Sequence, residues 1–111
     1  MYIRLKKRKL TGRGSNVAYD AVLVESYRNE EGKSRQRYVQ HLITIQDRFI
    51  KLPHTLRRFY DDMAEKLAAF GIEDNQAKKM ISRVEAKLGT KPTEAEAEAY
   101  LREAWQKFYE M

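Results

Sequence analysis

The chain has 111 residues, no cysteine, and 22 Lys+Arg against 16 Asp+Glu, a formal net charge of +6. The missing thiols exclude disulfides, Cys-ligated zinc and cysteine nucleophiles and suit a reducing cytoplasm. No stretch approaches the ~20 apolar residues of a membrane span. The length fits a single domain over residues 1–111, able to bury roughly 65% of its unfolded surface without covalent staples.

The charge is divided unevenly. Residues 1–58 hold 14 Lys+Arg against 5 Asp+Glu, a balance of +9, and residues 59–111 hold 8 against 11, a balance of −3. A positive potential gathered at one end attracts polyanions and speeds their encounter. The charged start Met1-Tyr2-Ile3-Arg4-Leu5-Lys6-Lys7-Arg8-Lys9 is not followed by the hydrophobic stretch of a signal peptide, so a cytoplasmic protein without a membrane partner is expected.

In chain order, Ile3 and Leu5 alternate with Tyr2, Arg4 and Lys6, the period of a first strand. Thr11-Gly12-Arg13-Gly14-Ser15-Asn16 has the residues of a chain reversal. Arg13 between two glycines would let the backbone approach a phosphate, but no strand, loop and helix with a P-loop lysine follows, so a nucleotide site is rejected.

Tyr19 to Ile45 reads as a β-hairpin. Val, Leu and Tyr fill Tyr19–Arg28, the turn residues are Asn29-Glu30-Glu31-Gly32, and β-branched and aromatic residues return from Lys33 to Ile45. Strict alternation predicts that Arg35, Arg37, Val39, His41 and Ile43 share one face, with Arg28 in reach, and that Gln36 lies on the other. In the preceding strand Tyr19, Ala21, Leu23, Glu25 and Tyr27 oppose Asp20, Val22, Val24, Ser26 and Arg28. Both sets are apolar in the middle, so the alternation leaves the buried face open.

After Ile45 the apolar period changes. Gln46–Leu52 is a connector with one helical turn from Asp47, anchored by Phe49 and Ile50. Pro53 suits the first turn of a helix whose stripe is Leu56, Phe59, Tyr60, Met63, Leu67 and Phe70, ended by Gly71. Asp74–Leu88 repeats the pattern through Ala77, Met80, Ile81, Val84 and Leu88, with Gly89 as its stop. Pro92 marks the boundary before Thr93-x-x-Glu96, a capping box that opens a last helix lined by Ala97, Leu101, Ala104, Trp105 and Phe108, with Tyr100 and Tyr109 at the rim of the core or in a dimer contact. The expected class is α+β: a three-stranded antiparallel sheet followed by about three helices packed on one face. Residues 1–45 would form the basic β part and 46–111 the helical part.

Catalytic chemistry has little to stand on. Asp61 and Asp62 are adjacent on a helix and point ~100° apart. Glu94, Glu96 and Glu98 are explained by the positive end of the last helix. His41 and His54 lack ligand spacing, and neither Ser26 nor Ser34 has a nucleophile's partners. The sequence predicts a non-enzyme with no cofactor and no metal.

Val24-Glu25-Ser26-Tyr27-Arg28, Gly32-Lys33, Arg35-Gln36-Arg37, Val39 and Leu42, preceded by Met1-Tyr2-Ile3-Arg4, resemble the amino-terminal region of DDE-type insertion-sequence transposases. The likeness covers about residues 1–45, and Ile43 stands where that pattern usually carries Gly. It implies a detached or repurposed end-binding module of a mobile element without the catalytic domain, or a free-standing protein that shares only the hairpin. A small sheet backed by helices is also similar in outline to the arm-binding domains of some phage integrases, an analogy of shape alone.

These readings lead to a module that binds double-stranded DNA. Arg35, Gln36 and Arg37 would read bases or backbone, Arg28 and Lys33 would hold phosphates at the turn, and Lys6, Lys7, Arg8, Lys9 and Arg13 would add contacts indifferent to sequence. Arg57 and Arg58 are either flanking cations of that surface or solvated charges. One alternative is an assembly or adaptor module, including a homodimer, that uses the acidic helical half with Tyr100, Trp105 and Tyr109. The other is a binder of RNA or single strands, with Tyr19, Tyr27 and Tyr38 stacking on bases.

Overall fold

A computed structural model describes residues 1–10 and 17–110, so Arg13 and the rest of the expected first loop lie outside the described residues. Three strands, β1 (Tyr2–Lys9), β2 (Val17–Arg28) and β3 (Ser34–Gln46), form one antiparallel sheet in the order β1-β2-β3. They are followed by one short turn of helix, α1 (Asp47–Ile50), and by α2 (Pro53–Ala69), α3 (Asp74–Leu88) and α4 (Glu94–Glu110). The class is α+β, as the changes of apolar period require. No helix among the described residues is long and apolar enough to cross a membrane.

The β2–β3 turn is built on Asn29. Its side-chain Oδ1 accepts from the backbone N–H of Glu31 at 3.0 Å and of Lys33 at 2.9 Å, and Gly32 takes φ +76°, which a side chain would resist. Register then settles which face is buried. Ile3 pairs with Leu23, Leu5 with Ala21, and Ala21 and Tyr19 with Ile43 and Ile45. These residues meet Leu56, Phe59, Tyr60, Met63 and Leu67 of α2 and Ala77, Met80 and Val84 of α3 in one core. α2 lies over β3 and α3 over β1.

β3 departs from strict alternation. The register against β2 shifts between Ala21 and Val22 and again between Leu23 and Val24, so Val39 and Leu42 are extra residues without a direct partner. Such bulges re-aim side chains. Here they allow Leu42 and Ile43, consecutive in sequence, both to reach the core, and they break the single row expected from Arg35 to Ile43.

α4 packs along α2 and runs antiparallel to it. Lys91 contacts Asp61, the Arg57 Nη1 donates to the Pro92 carbonyl at 3.1 Å, and Tyr100 stacks on His54 with ring centroids 5.4 Å apart. Thr93 caps it by accepting from the Glu96 N–H at 3.2 Å. By Tyr100 the helix has reached the start of α2, so the following residues overshoot their support. Ala97 is buried, whereas Leu101 to Tyr109 are all exposed. The radius of gyration, 17.0 Å, exceeds the ~13 Å of a compact chain of this length, in keeping with the projecting hairpin and overhanging helix.

Candidate nucleic-acid interface

The helices cover one face of the sheet, and the cross-strand rows of the other can be read from the register. From the middle of the sheet toward the α1 end they run Tyr2–Val24–Tyr38, Arg4–Val22–His41, Lys6–Asp20–Thr44 and Arg8–Ala18–Gln46; on the hairpin side they continue as Ser26–Gln36 and Arg28–Ser34. Ala18, Val22 and Val24 are buried yet stand outside the core cluster, because the longer side chains of the flanking strands shelter them. The result is a central line of small residues, edged by cations on β1 and by polar and aromatic groups on β3.

Four fixed cations, Arg4, Lys6, Arg8 and Arg28, occupy this face, and Asp20 is its only carboxylate among the described residues. Asp20 is heavily engaged. The Arg8 Nε donates to its Oδ2 at 3.0 Å and the Arg8 Nη2 to its Oδ1 at 3.3 Å; the Thr44 hydroxyl donates to Oδ1 at 2.5 Å. His41 Nε2 lies 2.9 Å from the Thr44 hydroxyl and 3.9 Å from Oδ1. Burial pushes the Asp20 carboxyl upward, but the bonds from Thr44 and Arg8 and the nearby positive charge outweigh it and hold the group below its ordinary value. Arg4 donates to Gln36 Oε1 at 3.3 Å and, like Lys6 and Arg28, makes no ion pair among the described residues.

The hairpin distributes the expected binding residues over both faces. Arg35 pairs with Tyr27 and Arg37 with Glu25, on the side that carries the helices, while Arg28 and Gln36 project from the open side. Arg28 therefore does not share a face with Arg35 and Arg37, a consequence of its pairing with Ser34. Arg37 is already engaged: its Nη2 donates to Glu25 Oε2 at 2.6 Å, and its guanidinium lies 5.7 Å from the Tyr27 ring centroid. The hydrogen bond and charge of Arg37 hold the Glu25 carboxyl below its usual range, and Glu25 in turn raises Arg37. Arg35 makes no such pair among the described residues. Lys33 sits in the turn, 3.8 Å from Glu31, with both side chains largely in solvent.

Lys7 and Lys9 pair with Tyr19 and Val17 and so belong to the helix side of β1, whereas Lys6 and Arg8 belong to the open side. Sequence reasoning passed over Arg4 and His41 as binding residues and named Tyr38 only as a base-stacking residue for single strands. The alternation of Tyr2, Arg4, Lys6 and Arg8 against Ile3 and Leu5 was the available signal for Arg4, and alternation already sets Tyr38 beside Gln36; His41 required the bulged register. Arg57 and Arg58 lie beside Asp61 and Asp62 at 4.0 and 3.9 Å; Arg57 also donates to the Pro92 carbonyl and so ties α2 to the start of α4, whereas the Arg58 side chain stands in solvent. His54 stacks on Tyr100, and its buried Nδ1 has no hydrogen-bond partner among the described residues. Among the described residues, no three His, Asp or Glu side chains gather as a metal site would need.

No family model matches the chain, and neither the curated proteins nor the solved structures contain a match to it.

Proposed function

We propose that the protein binds double-stranded DNA, with the helix-free face of the sheet turned toward the duplex. The observation that carries this reading is the open face itself, where, among the described residues, four fixed cations stand against a single carboxylate that is already paired. Outer strands of a three-stranded sheet lie about 10 Å apart, comparable with the ~12 Å width of the major groove. The central line of small residues lets the backbone of β2 come close, while Arg4, Lys6 and Arg8 along one edge face one phosphate strand. At the hairpin end, Gln36 and Arg28 are placed to meet base edges or phosphates from the same side. Arg35 and Lys33 add charge at the tip.

The likeness of residues 1–45 to the transposase amino-terminal region supports duplex DNA over RNA as the polyanion. Tyr38, exposed on the open face, is the residue best placed for stacking if single strands were the target.

Fluorescence anisotropy with duplex DNA, single-stranded DNA and RNA at several salt concentrations tests the reading. Three or four phosphate contacts predict a log–log salt slope of about −3 to −4 for duplex. Replacing Arg4, Lys6 and Arg28 together by Ala should remove most of the affinity, and replacing Arg35 and Arg37 should weaken it less, since Arg37 is already held by Glu25. Duplex binding by the triple variant equal to the parent's would refute the open face as the interface.

A further inference from the structure

We infer that the chain forms a two-fold dimer through the overhang of α4, a contact independent of the nucleic-acid reading. From Leu101 to Tyr109 every residue of this helix is exposed among the described residues, yet the helix keeps an apolar stripe. Leu101 is 39% exposed, Trp105 59%, Phe108 68% and Tyr109 79%. The three rings already pack on one another, with Trp105 6.1 Å from both Phe108 and Tyr109 and Phe108 5.9 Å from Tyr109. Leu101, Ala104, Trp105 and Phe108 recur at three- and four-residue spacing and continue the side of α4 that buries Ala97 against α2. The stripe is therefore the same packing surface carried past the end of its partner.

The size of the patch selects a second copy as the occupant. An aromatic side chain buries about 150–250 Å² when fully covered, so these exposures leave on the order of 500 Å² of coverable surface per chain. Two copies together reach about 1,000 Å², where specific interfaces begin. Antiparallel apposition of two overhangs covers the same patch on each chain and closes on itself, as an isologous contact requires. Charge permits it. From Leu101 to Tyr109 the helix carries Arg102 and Lys107 against Glu103, a nearly neutral segment on a protein of net charge +6. The overhang starts beside the N-terminus of α2, at the end of the sheet remote from the β2–β3 turn, so pairing there keeps the cationic hairpins of the two copies apart.

Trp105 is the single tryptophan of the chain and reports on the contact directly. Sedimentation equilibrium of the full chain over a range of concentrations should show a monomer–dimer equilibrium with no larger species. Trp105 emission should shift to the blue as the dimer forms. The double substitution Trp105→Ala with Phe108→Ala should weaken association about tenfold or more. Tyr109→Glu, which places a charge in the contact while leaving the core untouched, should weaken it as well. The inference is overturned by a parent that stays monomeric at every concentration, by association without the emission shift, or by a dimer that both variants leave unchanged.

Discussion

Asp20 gives the sharpest test of the open face, because one carboxylate there opposes two properties. Its side chain is only 17% exposed and holds Arg8 through two nitrogens and Thr44 through its hydroxyl. Replacement by Ala leaves the Thr44 hydroxyl without its acceptor and frees Arg8. Discounted for the 54% exposure of the Arg8 side chain, the loss is about 1–2 kcal/mol. The pH dependence has a definite sign. The folded carboxyl is held below its ordinary value of 3.8, so its contribution is complete above that pH and disappears as pH falls through the lower folded value. The stability gap between parent and Asp20→Ala should therefore be constant near neutrality and close in acid.

Binding should move the other way. Removing the Asp20 charge from the face and releasing Arg8 adds about one phosphate contact, which steepens the salt slope by about 0.9. One unit charge at contact distance in water is worth about 1 kcal/mol, so affinity for duplex should rise about fivefold at low ionic strength. Urea denaturation at several pH values and anisotropy titrations at several salt concentrations read the two arms. Asp20→Asn, which keeps an acceptor for Thr44 without the charge, should show the gain in binding with a smaller loss of stability. Denaturation of Asp20→Ala identical to the parent's would refute the energetic account of the cluster; unchanged affinity and slope would refute the open face as a phosphate-facing surface.

Two further predictions concern the core. The Tyr60 hydroxyl donates to the Gly89 carbonyl at 2.6 Å, and burial, with Glu85 nearby, pushes its pKa up to about 12. Because the folded value lies above the ordinary 10.0, this contribution is intact below pH 10 and is lost as pH rises toward 12. Tyr60→Phe should cost about 1 kcal/mol at pH 7 and lack that alkaline loss, checked by denaturation from pH 7 to 11. Met63 is fully buried where α2 meets the sheet, and Met63→Ala should cost about 2–5 kcal/mol, lowering Tm by roughly 10–20 °C in calorimetry.

Much of the architecture was legible because it rests on local rules. Period-two and period-3.6 apolar patterns, Pro53 at a helix start, the positive-φ glycines Gly32, Gly71 and Gly89, and the Thr93 cap each impose their element on a few neighbouring residues. The excess of positive charge in residues 1–58 is likewise a property of the chain alone.

Three other features needed the tertiary structure. β2 is apolar on both sides, so its buried face was settled only when β1 and β3 paired with it and the helices chose the side of Ala21 and Leu23. The bulges at Val39 and Leu42 interrupt β3 where alternation predicted one uniform row, and they turn His41 to the open face while Arg35, Arg37 and Ile43 stay on the helix side. The apolar stripe of α4 reads in sequence as a core face from Ala97 to Phe108, but α2 begins at Pro53 and supports only its first half. Side-chain chemistry and local spacing fix which residues can form a strand, a helix or a cap; which of their faces meets another element depends on register, bulges and relative helix lengths, and those are decided between segments distant in the chain.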